Sequence, residues 1–192
     1  ILGRASIRPA SSASDWGVMI RSTSVAGSGD ISIQGWGGQA DVYSTNQDGI
    51  RVMHDGAGAN SSIIASGSGS ISLTGQGGQG SVGGGSSNGI EVWQDQTIQT
   101  ASGSISMSGQ SGRLGLAEGL NLYGAPVSTS GDINLTATAV DDDGTPQDTN
   151  GAIAFVGADA ASGTLTLQGE NSVIQKGLTE AETAANYVAA PI

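Results

Sequence analysis

Few side chains in this chain are equipped for chemistry. Four carboxylates crowd one stretch, Asp141, Asp142, Asp143 and Asp148 in DDDGTPQD. Hard cations take several carboxylate and carbonyl oxygens, so this loop is the best candidate for a cation, Ca²⁺, while no cofactor is otherwise expected. It lacks the D-x-D-x-D-G order of an EF-hand and the Gly-Gly-x-Gly-x-Asp nonapeptide of calcium-binding β-rolls. Met53, Trp93 and Tyr123 each stand four places after a glycine. Facing outward, they form either a platform for stacking sugars or a surface covered by a loop or a neighbouring domain. His54, the only histidine, precedes Asp55 in a turn-like stretch and reads as a solvated turn residue, not a general base. No GxSxG, Walker or zinc signature is present. The basic residues, Arg4, Arg8, Arg21, Arg51, Arg113 and Lys176, show no grouping with acids of the kind a polysaccharide lyase uses. No catalytic residue is assigned, and the expectation is a chain that is not an enzyme.

The composition limits the partners. With 17 acidic and 6 basic residues, a net charge of −11, the chain has no electrostatic footprint for nucleic acid or anionic membrane. No stretch approaches the roughly 18 apolar residues of a membrane span. Without cysteine there is neither a disulfide framework nor a thiolate metal site, and the redox compartment stays open. The chain opens on ILGRASIRPASS, without a starting Met or signal peptide, and reads as an excised piece.

The elements that must position these residues are written as a repeat. GSGDISIQG at 27–35 returns as GSGSISLTG at 67–75 and ASGSISMSG at 101–109, with weaker copies TSGDINLTA at 129–137 and ASGTLTLQG at 161–169. This family A alternates with a family B: DGIRVM at 48–53, NGIEVW at 88–93, EGLNLY at 118–123, NGAIAF at 150–155 and a fainter WGVMIR at 16–21. A vaguer family C follows B, in SSIIAS at 61–66, QTIQTAS at 96–102 and APVSTS at 125–130. Alternating aliphatic residues argue for half-buried strands, and 33 glycines with hardly any aromatics argue against helices. Three strands recurring in fixed order can stack, each copy parallel to the next, as a β-helix of about five three-strand coils. The variable stretches GWGGQADVYSTNQ, GQGGQGSVGGGSS, QSGRLGLA and TAVDDDGTPQDT all fall between A and B, so the loops project from one corner.

Stacking turns equivalent positions into columns. Ile31, Ile71, Ile105, Ile133 and Leu165 form one inward column, and Ile33, Leu73, Met107, Leu135 and Leu167 another. Each buried aliphatic side chain contributes about 1.5 to 3 kcal/mol. In family B the inward pairs are Ile50/Val52, Ile90/Val92 and Leu120/Leu122, while at 150–155 a slip of one residue gives the better pair Ile153/Phe155. Asp48, Asn88, Glu118 and Asn150 precede the B glycines and read as turn chemistry bonding to nearby backbone, in preference to a metal or sugar ladder. The outward positions of family A, from Ser32/Gln34 to Thr166/Gln168, make a solvated face of hydroxyls and amides, too mixed for the Thr ladders of an ice-binding solenoid.

GSGSISLTGQGGQGSVGGGSSNGIEVW and GSGDISIQGWGGQADVYSTNQDGIRVM resemble the repeats of large exported bacterial proteins related to filamentous haemagglutinin, over about residues 16–170. The resemblance implies a right-handed parallel β-helix in a secreted or cell-surface adhesin-like filament, exported by a two-partner or autotransporter-type route. It assigns no site residue. Residues 1–15 read as a lead-in or part coil, 16–170 as the repeat domain, and 171–192 as a C-terminal cap or linker. The expected function is a non-catalytic shaft segment presenting its corner loops, partnered end to end by neighbouring modules or copies of itself, or by glycans or a host surface. The alternative is a carbohydrate-binding or carbohydrate-active β-helix of the tailspike or polysaccharide-lyase kind.

Overall fold

The computed structural model describes residues 1–4, 7–8, 15–40, 46–56, 58–78, 87–93, 95–112, 117–122 and 127–138, and the backbone of the strands Ile153–Phe155, Ala158–Asp159, Leu165–Gln168, Val173–Ile174 and Tyr187–Ala189. Among these residues the chain is all-β, with three parallel sheets and no helix. No helix there is long and apolar enough to cross a membrane.

Each sheet is built from one of the three sequence families. Sheet A has seven strands in the order Leu2–Arg4, Ile31–Trp36, Ile71–Gln76, Ile105–Gln110, Ile133–Thr138, Leu165–Gln168 and Tyr187–Ala189. Sheet B has six: Val18–Arg21, Ile50–Met53, Ile90–Val92, Leu120–Leu122, Ile153–Phe155 and Val173–Ile174. Sheet C has five: Ser24–Gly27, Ser62–Ala65, Thr97–Thr100, Val127–Ser128 and Ala158–Asp159. A short parallel pair, Ile7–Arg8 with Gln39–Ala40, lies outside these sheets.

Register follows the sequence columns. Ile31 pairs with Ile71, Ile71 with Ile105, Ile105 with Ile133 and Ile133 with Leu165. In sheet B, Val18 aligns with Ile50, and Leu120 and Leu122 align with Ile153 and Phe155, the slipped register. All three sheets extend beyond the family segments, A by Leu2–Arg4 and Tyr187–Ala189, B by Val173–Ile174, and C by Ser24–Gly27 and Ala158–Asp159.

Because side chains alternate across a strand, one face of every sheet meets a common core. Ile33, Leu73, Met107 and Leu135 of sheet A, Ile50, Val52, Ile90, Val92, Leu120 and Leu122 of sheet B, and Ile63, Ile98 and Val127 of sheet C belong to one buried apolar cluster. The outward residues of sheet A, Ser32, Gln34, Ser72, Thr74, Ser106, Ser108, Asn134 and Thr136, are exposed.

The corner between A and B is fixed by close backbone contact. A Cβ on Gly35, Gly75 or Gly109 would lie about 2.0 Å from the carbonyl oxygen of Gly49, Gly89 or Gly119 respectively. The stems of the variable loops are pinned there as well. The N–H groups of Gly38, Gly78 and Gly112 donate to the carbonyls of Asp15, Gln47 and Ser87 at 3.0, 2.6 and 2.6 Å. The chain can therefore vary the loop beyond these glycines without disturbing the strands.

Candidate functional site

The densest polar chemistry in the described residues lies on the outer face of sheet B. Strand alternation puts Met19, Arg51, Glu91 and Asn121 in one outward column, with Arg51 paired to Glu91 in register. Such positions are ordinarily solvated, yet Arg51 and Glu91 are buried. The cover comes from Trp16 and Trp93, whose ring centres lie 5.7 and 5.1 Å from the Arg51 guanidinium carbon, both within cation–π range.

Two carboxylates complete the cluster. Arg51 Nη1 donates to Asp48 Oδ2 at 3.1 Å. Arg51 Nε lies 3.0 Å from Glu91 Oε2, an ion-pair distance without hydrogen-bond alignment. Burial, followed by the charge of Glu91, pushes the Asp48 carboxyl well above its usual range; Arg51 and the Asn88 N–H pull it back. Burial also raises the Glu118 carboxyl, again with a contribution from Glu91. Asp48 is 0% exposed, so its carboxyl lies beyond reach of a substrate in solvent.

Asp48 also begins a ladder along the stack. Its Oδ1 accepts from the N–H of Asn88 at 2.9 Å, and Asn88 Oδ1 accepts from the N–H of Glu118 at 2.9 Å. These partners lie one repeat onward, so the side chains expected to satisfy their own turns instead tie successive repeats together. A second ladder precedes sheet A: the N–H of Ser70 donates to Asp30 Oδ1 at 2.8 Å, and that of Ser104 to Ser70 Oγ at 3.2 Å.

Of the residues singled out from the sequence for sugar or cation binding, only Met53 and Trp93 are among the described residues, and they follow Val52 and Val92, which pair in register on adjacent strands of sheet B. Trp93 is half-buried, with Arg51 over its ring and His54 edge-on at 6.1 Å between ring centres. Met53 is half-buried; Tyr123 and the aspartates Asp141, Asp142, Asp143 and Asp148 lie outside the described residues. Among the described residues no group of three or more His, Asp or Glu is placed to hold a metal ion. The Arg51 cluster was missed because its members come from three different repeats. The readable signal was a basic and an acidic residue at the same outward place after successive B glycines.

The raised carboxyls make stability depend on pH in a definite direction. A carboxyl whose folded pKa exceeds its unfolded value of about 4 stabilises fully below that value, and the contribution disappears as pH rises through the folded pKa. Lowering the pH from 7 to about 5 is therefore expected to raise the thermal midpoint. Asp48→Asn should flatten this dependence and match or exceed the native midpoint at pH 7, since Asn88 fills the equivalent position with an amide acceptor. Melting curves at several pH values decide it; a variant less stable at pH 7 with an unchanged slope would show that Asp48 is ionised and acts through Arg51.

Comparison of this chain with known protein families, with curated proteins and with solved structures found no match.

Proposed function

We propose that this chain is a non-catalytic shaft segment of a secreted or cell-surface protein of the filamentous-haemagglutinin type, its three sheets being the sides of a right-handed parallel β-helix. The supporting observation is the register. All three sheets repeat in parallel with like residues stacked on like, so the structure extends by adding equivalent layers, as a load-bearing column requires. The longest connections lie at the corner between sheets A and B, where pinned glycine stems allow different loops on a constant column. These loops present the surface for adhesion, and the column's ends join neighbouring modules or further copies.

The test is solution scattering of the chain and of two copies fused in tandem. Six strand intervals of about 4.8 Å separate the seven strands of sheet A. A shaft segment should lengthen by roughly 30 Å in the tandem form at constant cross-section. Two lobes moving independently about the junction would defeat the proposal. Export is checked separately with antibodies to the chain, which should label intact producing cells or their culture fluid; labelling confined to lysed cells would refute the surface location.

A further inference from the structure

We infer that the outer face of sheet A carries a binding groove for an extended, uncharged glycan. A groove of about 220 Å³ runs across the strands Ile31–Trp36, Ile71–Gln76, Ile105–Gln110 and Ile133–Thr138. Trp36, Gln76, Gln110 and Thr138 line one side; Thr74, Ser108 and Thr136 line the other. The walls arise from side-chain length: on Ile71–Gln76 and Ile105–Gln110 a carboxamide stands two residues from a hydroxyl, and the longer column begins at the Trp36 indole and shortens to Thr138 at its other end.

Size and shape restrict the occupant. Pockets that enclose a small ligand have volumes of about 300 to 1,000 Å³, so this groove holds only part of a molecule. It crosses four strands, about 14 Å along the stack at 4.8 Å per strand, which suits a linear chain lying along the column. The lining carries no charged side chain although the protein has 17 acidic residues, which disfavours both anions and cations. Hydroxyls and carboxamides supply donors and acceptors together, matching a polyol, and Trp36 adds an aromatic surface for the apolar face of a sugar ring. A peptide strand is disfavoured because Ile71–Gln76 and Ile105–Gln110 are paired on both sides, leaving no ladder to extend.

The site lies on a different sheet from Trp93 and does not depend on the shaft reading, since one isolated chain contains the whole groove. The test is affinity electrophoresis of the folded chain in native gels containing dextran, laminarin or galactomannan, with alginate as the acidic comparison. At least one neutral polysaccharide should retard the protein. Ser108→Asp, at an exposed position, should weaken that binding about tenfold or more, as should Trp36→Ala, with thermal melts confirming that each variant is folded. Trp93→Ala should bind like the native chain. The inference is overturned if no neutral polysaccharide retards the protein, if alginate alone does, or if folded Ser108→Asp is retarded as strongly as the native protein.

Discussion

Ile105→Asp is expected to abolish folding. Ile105 has no exposed surface and lies between Ile71 and Ile133, its register partners on the two adjoining strands. The described residues of the surrounding cluster are aliphatic, together with Met107, so an aspartate there has neither a cation nor a donor among them. Burying an unpaired carboxylate costs several kcal/mol even after relaxation. The isoleucine's own burial, worth about 1.5 to 3 kcal/mol, is lost as well. Against a typical net stability of about 5 to 15 kcal/mol, the sum removes most or all of the margin. Two controls separate this effect from general fragility. Ile105→Val should cost only about 1 kcal/mol, and Ser106→Asp, one residue along on the exposed face, should fall within about 0.5 kcal/mol of the native chain. Far-UV circular dichroism and urea unfolding read all three; a soluble Ile105→Asp variant with a native-like transition would remove Ile105 from the interior.

The contrast between Ile105 and Arg51 shows where sequence reading succeeds and where it stops. The inward columns were legible because the pleat enforces a period of two, and an Ile-Ser-Ile pattern has one way to hide its aliphatic side chains. The same rule set the register at Ile153 and Phe155, where two candidate pairs differed in apolar content. Arg51 and Glu91 obey the alternation but not its usual consequence. They point away from the core and are nevertheless buried, because Trp16 from one repeat and Trp93 from another close over the guanidinium. Periodicity reports which face a residue occupies, not what covers that face. Asp48 and Asn88 fail to be legible for a different reason: an acceptor before a glycine can serve its own turn or the next repeat, and residue type is identical in the two cases. The groove beside Trp36 depends on side-chain lengths in adjacent columns, visible only once the register is fixed.

Gly75→Ala should be nearly as damaging as a charge in the core, although it adds one methyl group. The new Cβ would stand 2.0 Å from the carbonyl oxygen of Gly89, 2.7 Å from its carbonyl carbon and 2.7 Å from Ile90 Cγ1. None of the first two atoms can swing aside as a side chain would. Gly89 is held in place because its N–H donates to the Glu118 carbonyl at 3.1 Å and its own carbonyl accepts from Ile50 at 3.0 Å. Gly75 is held equally, in register between Gly35 and Gly109. Relief therefore requires moving sheet A away from sheet B, and the same contact recurs one layer on either side, at Gly35 against Gly49 and Gly109 against Gly119. Overpacking of this kind ordinarily costs about 1 to 3 kcal/mol; with backbone on both sides the loss should reach or exceed the upper figure. Gly29→Ala is the matched control, since a Cβ there meets nothing within 4 Å, and it should leave the urea midpoint unchanged or slightly raised through its effect on the unfolded chain. Equal midpoints for the two variants would mean that the sheets do not meet along this glycine seam, and the tight corner from which the variable loops emerge would lose its physical basis.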